Sequence, residues 1–229
     1  MAEPSDHNLD AKAAWGITSK SETRWPVVAA VLVAIALQLV LPNRVLVGLG
    51  AKAVVPAIEG VLLLVLLITS PGRISAEQRH LRVVGIALIA LVSIANTVSL
   101  VELLHALLYS STTGGRTLVY SSVPVWLTNV IAFGLWYWEL DRGGPARRTQ
   151  STHPRPDFLF PQMGARGADP TWTPDFSDYL YTSFTNATAF SPTDTMPLTR
   201  WSKLLMALQS MASLVTVAVV VSRAVNILN

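Results

Sequence analysis

Residues 178–228 read DYLYTSFTNATAFSPTDTMPLTRWSKLLMALQSMASLVTVAVVVSRAVNIL. A short aromatic and hydroxyl-rich segment comes first. A turn over 190–197 follows, with Pro192 and Pro197 set among Ser191, Thr193, Asp194, Thr195 and Met196. A long apolar run closes the chain. That order predicts a short helix, a polar loop and a membrane-spanning helix, so the short helix either re-enters the bilayer or lies at its interface.

Composition points the same way. Of 229 residues, 51% are hydrophobic and only 14% charged, against about 25% charged in soluble domains. Mean hydropathy is +0.45. An integral membrane protein is expected, of a size for one compact helical domain. The chain contains no cysteine, which excludes disulfides and thiolate metal sites. The formal net charge of +3 fits cytoplasmic loop arginines rather than nucleic acid.

Outward from the closing stretch, the chain divides into four parts. Residues 1–24 form a polar tail. Residues 25–140 form a four-span membrane bundle, residues 141–177 a Pro/Gly/Arg-rich loop, and residues 178–229 the short helix, turn and final span. The first span, about 25–42, reads as an uncleaved anchor, because its upstream region is long and acidic for a signal peptide. The second, about 45–69, carries Lys52, Pro56 and Glu59, and Pro56 is expected to kink it. The third, 83–109, carries Asn96, Glu102 and His105. The fourth, about 118–139, carries Asn129 and ends in Trp136-Tyr137-Trp138, an aromatic cluster typical of a membrane interface. The last, about 201–228, carries Gln209. In the loop, Phe158, Phe160 and Trp172 are candidates for docking at the surface. Ser177 or Asp178 is the expected cap of the short helix.

Residues 183–205 are similar to the pore loop of tetrameric potassium channels, where a short helix ending in Thr leads to T-V-G-Y-G-D-x-x-P. Set without gaps, Thr188 falls on that threonine, and Asp194 and Pro197 on the Asp and Pro. The filter positions become Ala189-Phe190-Ser191-Pro192-Thr193, with both glycines missing and Pro192 in place of the tyrosine. Residues 124–228 also resemble an uncharacterised family of bacterial integral membrane proteins of about five spans. The matching elements are the tryptophan-rich helix Trp126 to Trp138, Asp157-Phe158-Leu159-Phe160-Pro161, Asp178-Tyr179-Leu180-Tyr181 with Phe184-Thr185, Phe190 with Thr193-Asp194, and Ala224-Val225-Asn226-Ile227-Leu228. That resemblance implies a family and no activity.

Potassium selectivity depends on backbone carbonyls turned into the pore, which glycines permit and proline forbids. Ser191-Pro192-Thr193 therefore builds no such filter. A wider constriction lined by Thr188, Ser191 and Thr193 is the alternative, with Asp194 as a ring favouring cations. One loop encloses nothing, so this reading requires about four chains. The competing reading is a polar turn, with Asp194 capping a helix or paired with Arg200.

The positive-inside rule orients the chain. With the tail inside, one side holds Lys12, Lys20, Arg24, Arg73, Arg79, Arg82, Arg142, Arg147, Arg148, Arg155 and Arg166; the other holds Arg44 and Arg116. The loop then dips from the cytoplasm, inverted relative to a potassium channel.

Ionisable groups at membrane depth point to function by default. Glu102 and His105 are three apart and share a helix face, with Glu59 and Asn96 as further members of a proton relay. The competing reading is interhelical hydrogen bonding. Asp157, Asp169, Asp175 and Asp178 cluster in sequence without the spacing of a calcium loop. Asn186-Ala187-Thr188 matches a glycosylation acceptor by chance. No nucleophile motif, P-loop or dinucleotide fingerprint occurs.

The expectation is an all-α, polytopic bundle of about five transmembrane helices plus one short helix, in the plasma (inner) membrane, non-enzymatic and without cofactor or metal. Its partners are the lipid bilayer, monovalent cations and its own copies in a homotetramer, not nucleic acid. The leading function is a cation-permeable, pore-loop channel. The alternatives are a small proton-coupled transporter using Glu59, Glu102 and His105, or a non-catalytic scaffold subunit.

Overall fold

A computed structural model describes residues 22–41, 53–69, 79–109, 115–150, 155–163, 172–189 and 194–228. The fold is all-α. Its helices are α1 (Trp25–Val40), α2 (Val54–Thr69), α3 (Arg79–Tyr109), α4 (Gly115–Leu140), α5 (Pro145–Arg148), α6 (Phe176–Ala189) and α7 (Arg200–Leu228). The only strands among the described residues are β1 (Phe158–Leu159) and β2 (Met196–Pro197), an antiparallel pair with Phe158 opposite Pro197 and Leu159 opposite Met196.

Among the described residues, three segments are long and apolar enough to cross a membrane: His80–Tyr109, Gly115–Gly143 and Arg200–Ser222. Helices α1 and α2 are apolar but have 16 residues each, about 24 Å of rise against ~30 Å of hydrocarbon. Among the described residues, the expected five spans therefore appear as three full-length helices and two shorter ones. Pro56 does not kink α2. The helix starts at Val54, which puts Pro56 in the first turn, where its missing N–H removes no intrahelical bond.

The helices are inverted relative to those of a water-soluble bundle. Along α7, Ser202, Gln209, Ser213 and Thr216 are buried, while Trp201, Leu204, Leu208, Met211 and Leu214 face outward. Leu32, Leu64, Ile94 and Val101 are likewise exposed on α1, α2 and α3. Apolar exteriors over hydrogen-bonded interiors suit lipid.

The elements alternate in direction about one common end. Residue Glu22 just before α1, Arg82 in the first turn of α3, the end of α4 and the cap that follows it all meet there. The cap comprises residues 141–150 and 155–163. It begins with a tight turn in which Arg142 (φ 53°), Gly143 (φ 78°) and Gly144 (φ 100°) all adopt positive φ. Asp141 and Asp157 clasp that turn: Arg142 N donates to Asp157 Oδ2 (3.0 Å) and Asp157 N to Asp141 Oδ1 (2.7 Å). Phe158 and Phe160 are buried, and Phe160 packs on Trp172 at 5.7 Å between ring centroids.

Candidate functional site

Helix α6 is set by its caps. Asp175 Oδ1 accepts from Ser177 N (2.8 Å) and Asp178 Oδ2 from Asp175 N (2.8 Å), a reciprocal capping box. The cap is thus Asp175, just ahead of the expected Ser177 or Asp178, because the helix already begins at Phe176. Its first turn lies at the cap end, where the Tyr179 hydroxyl donates to Asp141 Oδ2 (2.6 Å). From there α6 runs down the flank of α4. Ser183 Oγ donates to Val130 O (2.6 Å), and Phe184 meets Trp126 edge-on at 6.0 Å.

The chain then comes back. The Thr195 hydroxyl is hydrogen-bonded to that of Thr182 (3.1 Å), β2 pairs with β1 of the cap, and Leu198 N donates to Asp157 O (2.8 Å). Helix α6 thus starts at the cap end, and the chain is again beside its Thr182 and the cap from Thr195 onward. Helix α7 starts at that end. Thr199 caps it, its hydroxyl accepting from Ser202 N (3.3 Å) and its own N–H donating to Ser202 Oγ (3.2 Å).

A buried polar cluster holds α6 against α4 and α7. Gln209 Nε2 donates to Ser183 O (2.8 Å) and Oγ (2.6 Å), and Gln209 Oε1 accepts from Asn186 Nδ2 (2.8 Å) and the Tyr137 hydroxyl. Asn186 Nδ2 also reaches Met206 O (3.0 Å). Deeper in, Ser213 Oγ donates to Ala187 O (2.6 Å) and accepts from Trp126 Nε1 (2.8 Å). Gly134 brings α4 against α6 so closely that a Cβ there would lie 3.2 Å from Leu180 Cα.

Of the pore-loop candidates, Thr188 is exposed and its hydroxyl donates back to Phe184 O (3.0 Å) within the helix. Asp194 is exposed, and Pro197 is half-buried in β2. Ser191, Pro192 and Thr193 lie outside the described residues. Asp194 forms no ion pair with Arg200 among the described residues, and Thr199 provides the α7 cap that Asp194 was a candidate for. The acceptor-like Asn186 is buried in the cluster.

The intramembrane polar residues fall into separate places. Glu59 is fully buried, and both its carboxylate oxygens accept from Gln38 Nε2 of α1 at 3.1 Å. Asn96 and Asn129 are buried on α3 and α4. Glu102 is half-buried, whereas His105 is exposed and stacks on Tyr109 at 5.0 Å. Gln209 is the centre of the cluster on α6. Asp157 and Asp175 are occupied as clasp and cap, and Asp169 lies outside the described residues. Among the described residues no three His, Asp or Glu side chains gather as a metal site.

Two features escape the sequence. The first is the arginine cluster at the cap. Arg148 is fully buried. Its Nη1 donates to Trp138 O (2.6 Å) and Asp141 O (3.1 Å), and its Nε and Nη2 donate to Glu22 Oε1 (3.2 and 3.0 Å). Its guanidinium lies 5.2 Å from the Tyr179 ring centroid and 5.9 Å from that of Trp138. Burial opposes its charge, but Tyr179, Glu22 and Asp141 outweigh that and hold its pKa above the usual arginine value. Arg142 is equally buried, 3.6 Å from Asp141 Oδ2. These two arginines are internal ties rather than solvated loop charges. The pattern DRGGPARR marks a turn and says nothing about Glu22, more than a hundred residues upstream.

The second is a cavity of about 90 Å³ among α1, α2, α3 and α4. Its walls are apolar, with Arg24, Arg82 and Glu139 at the cap end. Arg82 Nε donates to Glu139 Oε1 (2.9 Å).

Comparison with protein-family models, with curated proteins and with solved structures finds no match.

Proposed function

We propose that the chain is a multi-pass plasma-membrane protein of the pore-loop kind. About four copies surround a shared axis with their 183–194 dips and pass monovalent cations without potassium selectivity. The observation that supports this reading is the course of the described chain: α6 enters the bundle from the cap end, and from Thr195 the chain is again at that end. Irregular backbone at membrane depth is tolerated where protein buries it or where it lines a water-filled cavity.

Further support comes from how the polar groups are used. The inner face of α6 is bound to α4 and α7 through Ser183 and Asn186. Tyr181, Phe184 and Thr188 remain on its outer face, and Asp194 is exposed beyond it. Each chain thus fixes its own dip and offers that face to neighbouring copies. Hydroxyls of Thr188, Ser191 and Thr193 with a ring of Asp194 carboxylates would favour cations, while Pro192 rules out the carbonyl ladder of a potassium filter. Arg24, Arg82, Arg142 and Arg148 all gather at the cap end. By the positive-inside rule that end is cytoplasmic, so the pore opens inward at the dip. A proton relay through Glu59, Glu102 and His105 has weaker support, since the partner of Glu59 is Gln38 and His105 lies on the outer surface.

The test is current across a planar bilayer holding purified protein, together with the mass of the detergent-solubilised particle. Cation current from an oligomer, losing its cation-over-anion preference in Asp194→Asn, is the expected result. A monomer silent under every ionic condition would sink the reading.

A further inference from the structure

The cavity among α1 to α4 has a composition that the dip does not explain. It is walled by Val28, Val31, Leu63, Leu67, Leu88 and Ile89, among others. At about 90 Å³ it offers several times the space one water needs, but apolar walls give water no partners, and such cavities stay dry and accept apolar guests. Its polar groups are confined to one end. There Arg82 is neutralised by Glu139 at 2.9 Å. Arg24 is not so satisfied: its Nε is buried and has no hydrogen-bond partner among the described residues. Among the described residues that line the cavity, two guanidiniums share one carboxylate, Glu139, which leaves one positive charge in excess where the apolar cavity meets the cap. Trp25, exposed beside Arg24, is the residue type that settles at headgroup level.

An apolar slot with one surplus cation at its mouth complements a chain-bearing monoanion. We propose that this cavity is a binding site for an anionic phospholipid, one acyl chain lying between α1, α2 and α3 and the phosphodiester on Arg24. Basic pockets between helices at the cytoplasmic side are where lipid phosphates are bound, and the cap end is the basic end of this bundle. The site is separate from the dip and stands whether or not the dip conducts.

Two substitutions separate the parts of the site. Arg24→Gln removes the surplus charge and leaves the Arg82–Glu139 pair in place. Gly85→Leu fills the slot from α3: Gly85 lines the cavity, and a Cβ built on it meets nothing within 4 Å.

Native mass spectrometry of the full chain in detergent, titrated with phosphatidylglycerol or phosphatidylcholine of the same acyl chains, reads retention directly. The expected result is preferential retention of one phosphatidylglycerol. Arg24→Gln should weaken that preference about fivefold, the value of one basic residue at an anionic lipid surface. Gly85→Leu should lower retention of both lipids. Circular dichroism of each variant serves as the folding control. Equal retention of the two lipids, or a preference unchanged in Arg24→Gln, overturns the proposal. So does competition by glycerol phosphate as strong as by the intact lipid, which would mean a free phosphate site without a chain slot.

Discussion

Helices α4, α6 and α7 are joined through polar side chains, whereas α1, α2 and α3 meet mainly through apolar ones, with Gln38 on Glu59 as the polar clasp. Lipid tails are as apolar as leucine, so apolar side chains alone give helices little reason to choose one register over another. Buried hydrogen bonds do, because each unpaired partner is costly. The half that holds α6 has them at every level, from Tyr179 on Asp141 down to Ser213 on Ala187. The other half has a cavity instead. The contrast separates a half specified for geometry from a half left able to take in a guest.

Two arginines near the cap offer the sharpest test. Arg148→Ala strips Glu22 and the carbonyls of Trp138 and Asp141 of their shared partner. Removing one member of a buried ion pair costs about 3–5 kcal/mol, and this loss should appear as a large drop in thermal stability in detergent. Arg24→Ala, at the cavity mouth, should cost under about 1 kcal/mol, as for a partly exposed charge. Equal losses would erase the distinction between the halves.

Next in size is Gln209→Leu. It is similar in volume and apolar, yet it leaves Asn186, Ser183 and the Tyr137 hydroxyl short of a partner. A loss of about 2 kcal/mol is expected, with hydrogen exchange rising over residues 183–187 and unchanged along α2. Uniform exchange in both regions would mean that the polar cluster does not hold α6 in particular.

The long apolar helices and the short one before the last are legible in the sequence because hydropathy and turn residues act locally. The sequence after Ala189 turns polar and proline-bearing, which ends the short helix's pattern, and the apolar run after Arg200 permits nothing but a helix. Legibility ends where the cause lies far along the chain. Nothing near Glu59 indicates that Gln38, on another helix, will bind it. Arg142 and Arg148 have the local look of solvated loop charges, and only Glu22, Asp141 and the end of α4 turn them inward. Pro56 is a subtler case. Its effect depends on where α2 begins, and Gly50-Ala51-Lys52-Ala53 supplies none of the capping side chains that mark a helix start. Gln209 stands out in the sequence only as a polar residue within a span. A further signal lies in the spacing of Ser202, Gln209, Ser213 and Thr216, all buried along α7; recurrence near the helical period is what puts such residues on one face.

Two glycines bring the comparison down to single methyl groups. On α4, a Cβ at Gly134 would stand 3.2 Å from both Cα and Cδ1 of Leu180. The Cα belongs to the backbone of α6 and cannot turn aside, so Gly134→Ala should cost about 1–2 kcal/mol through overpacking and loosen α6. On α3, Gly85 faces the cavity, where an added Cβ meets nothing within 4 Å. Gly85→Ala carries no steric cost and exchanges a poor helix former for the best, worth up to about 1 kcal/mol in a helix interior. A small rise in thermal stability is therefore expected there, beside a fall for the same substitution at Gly134. Should both variants fall, the wall around Gly85 is as closely packed as the α4–α6 contact, and the asymmetry between a specified half and an open one does not hold.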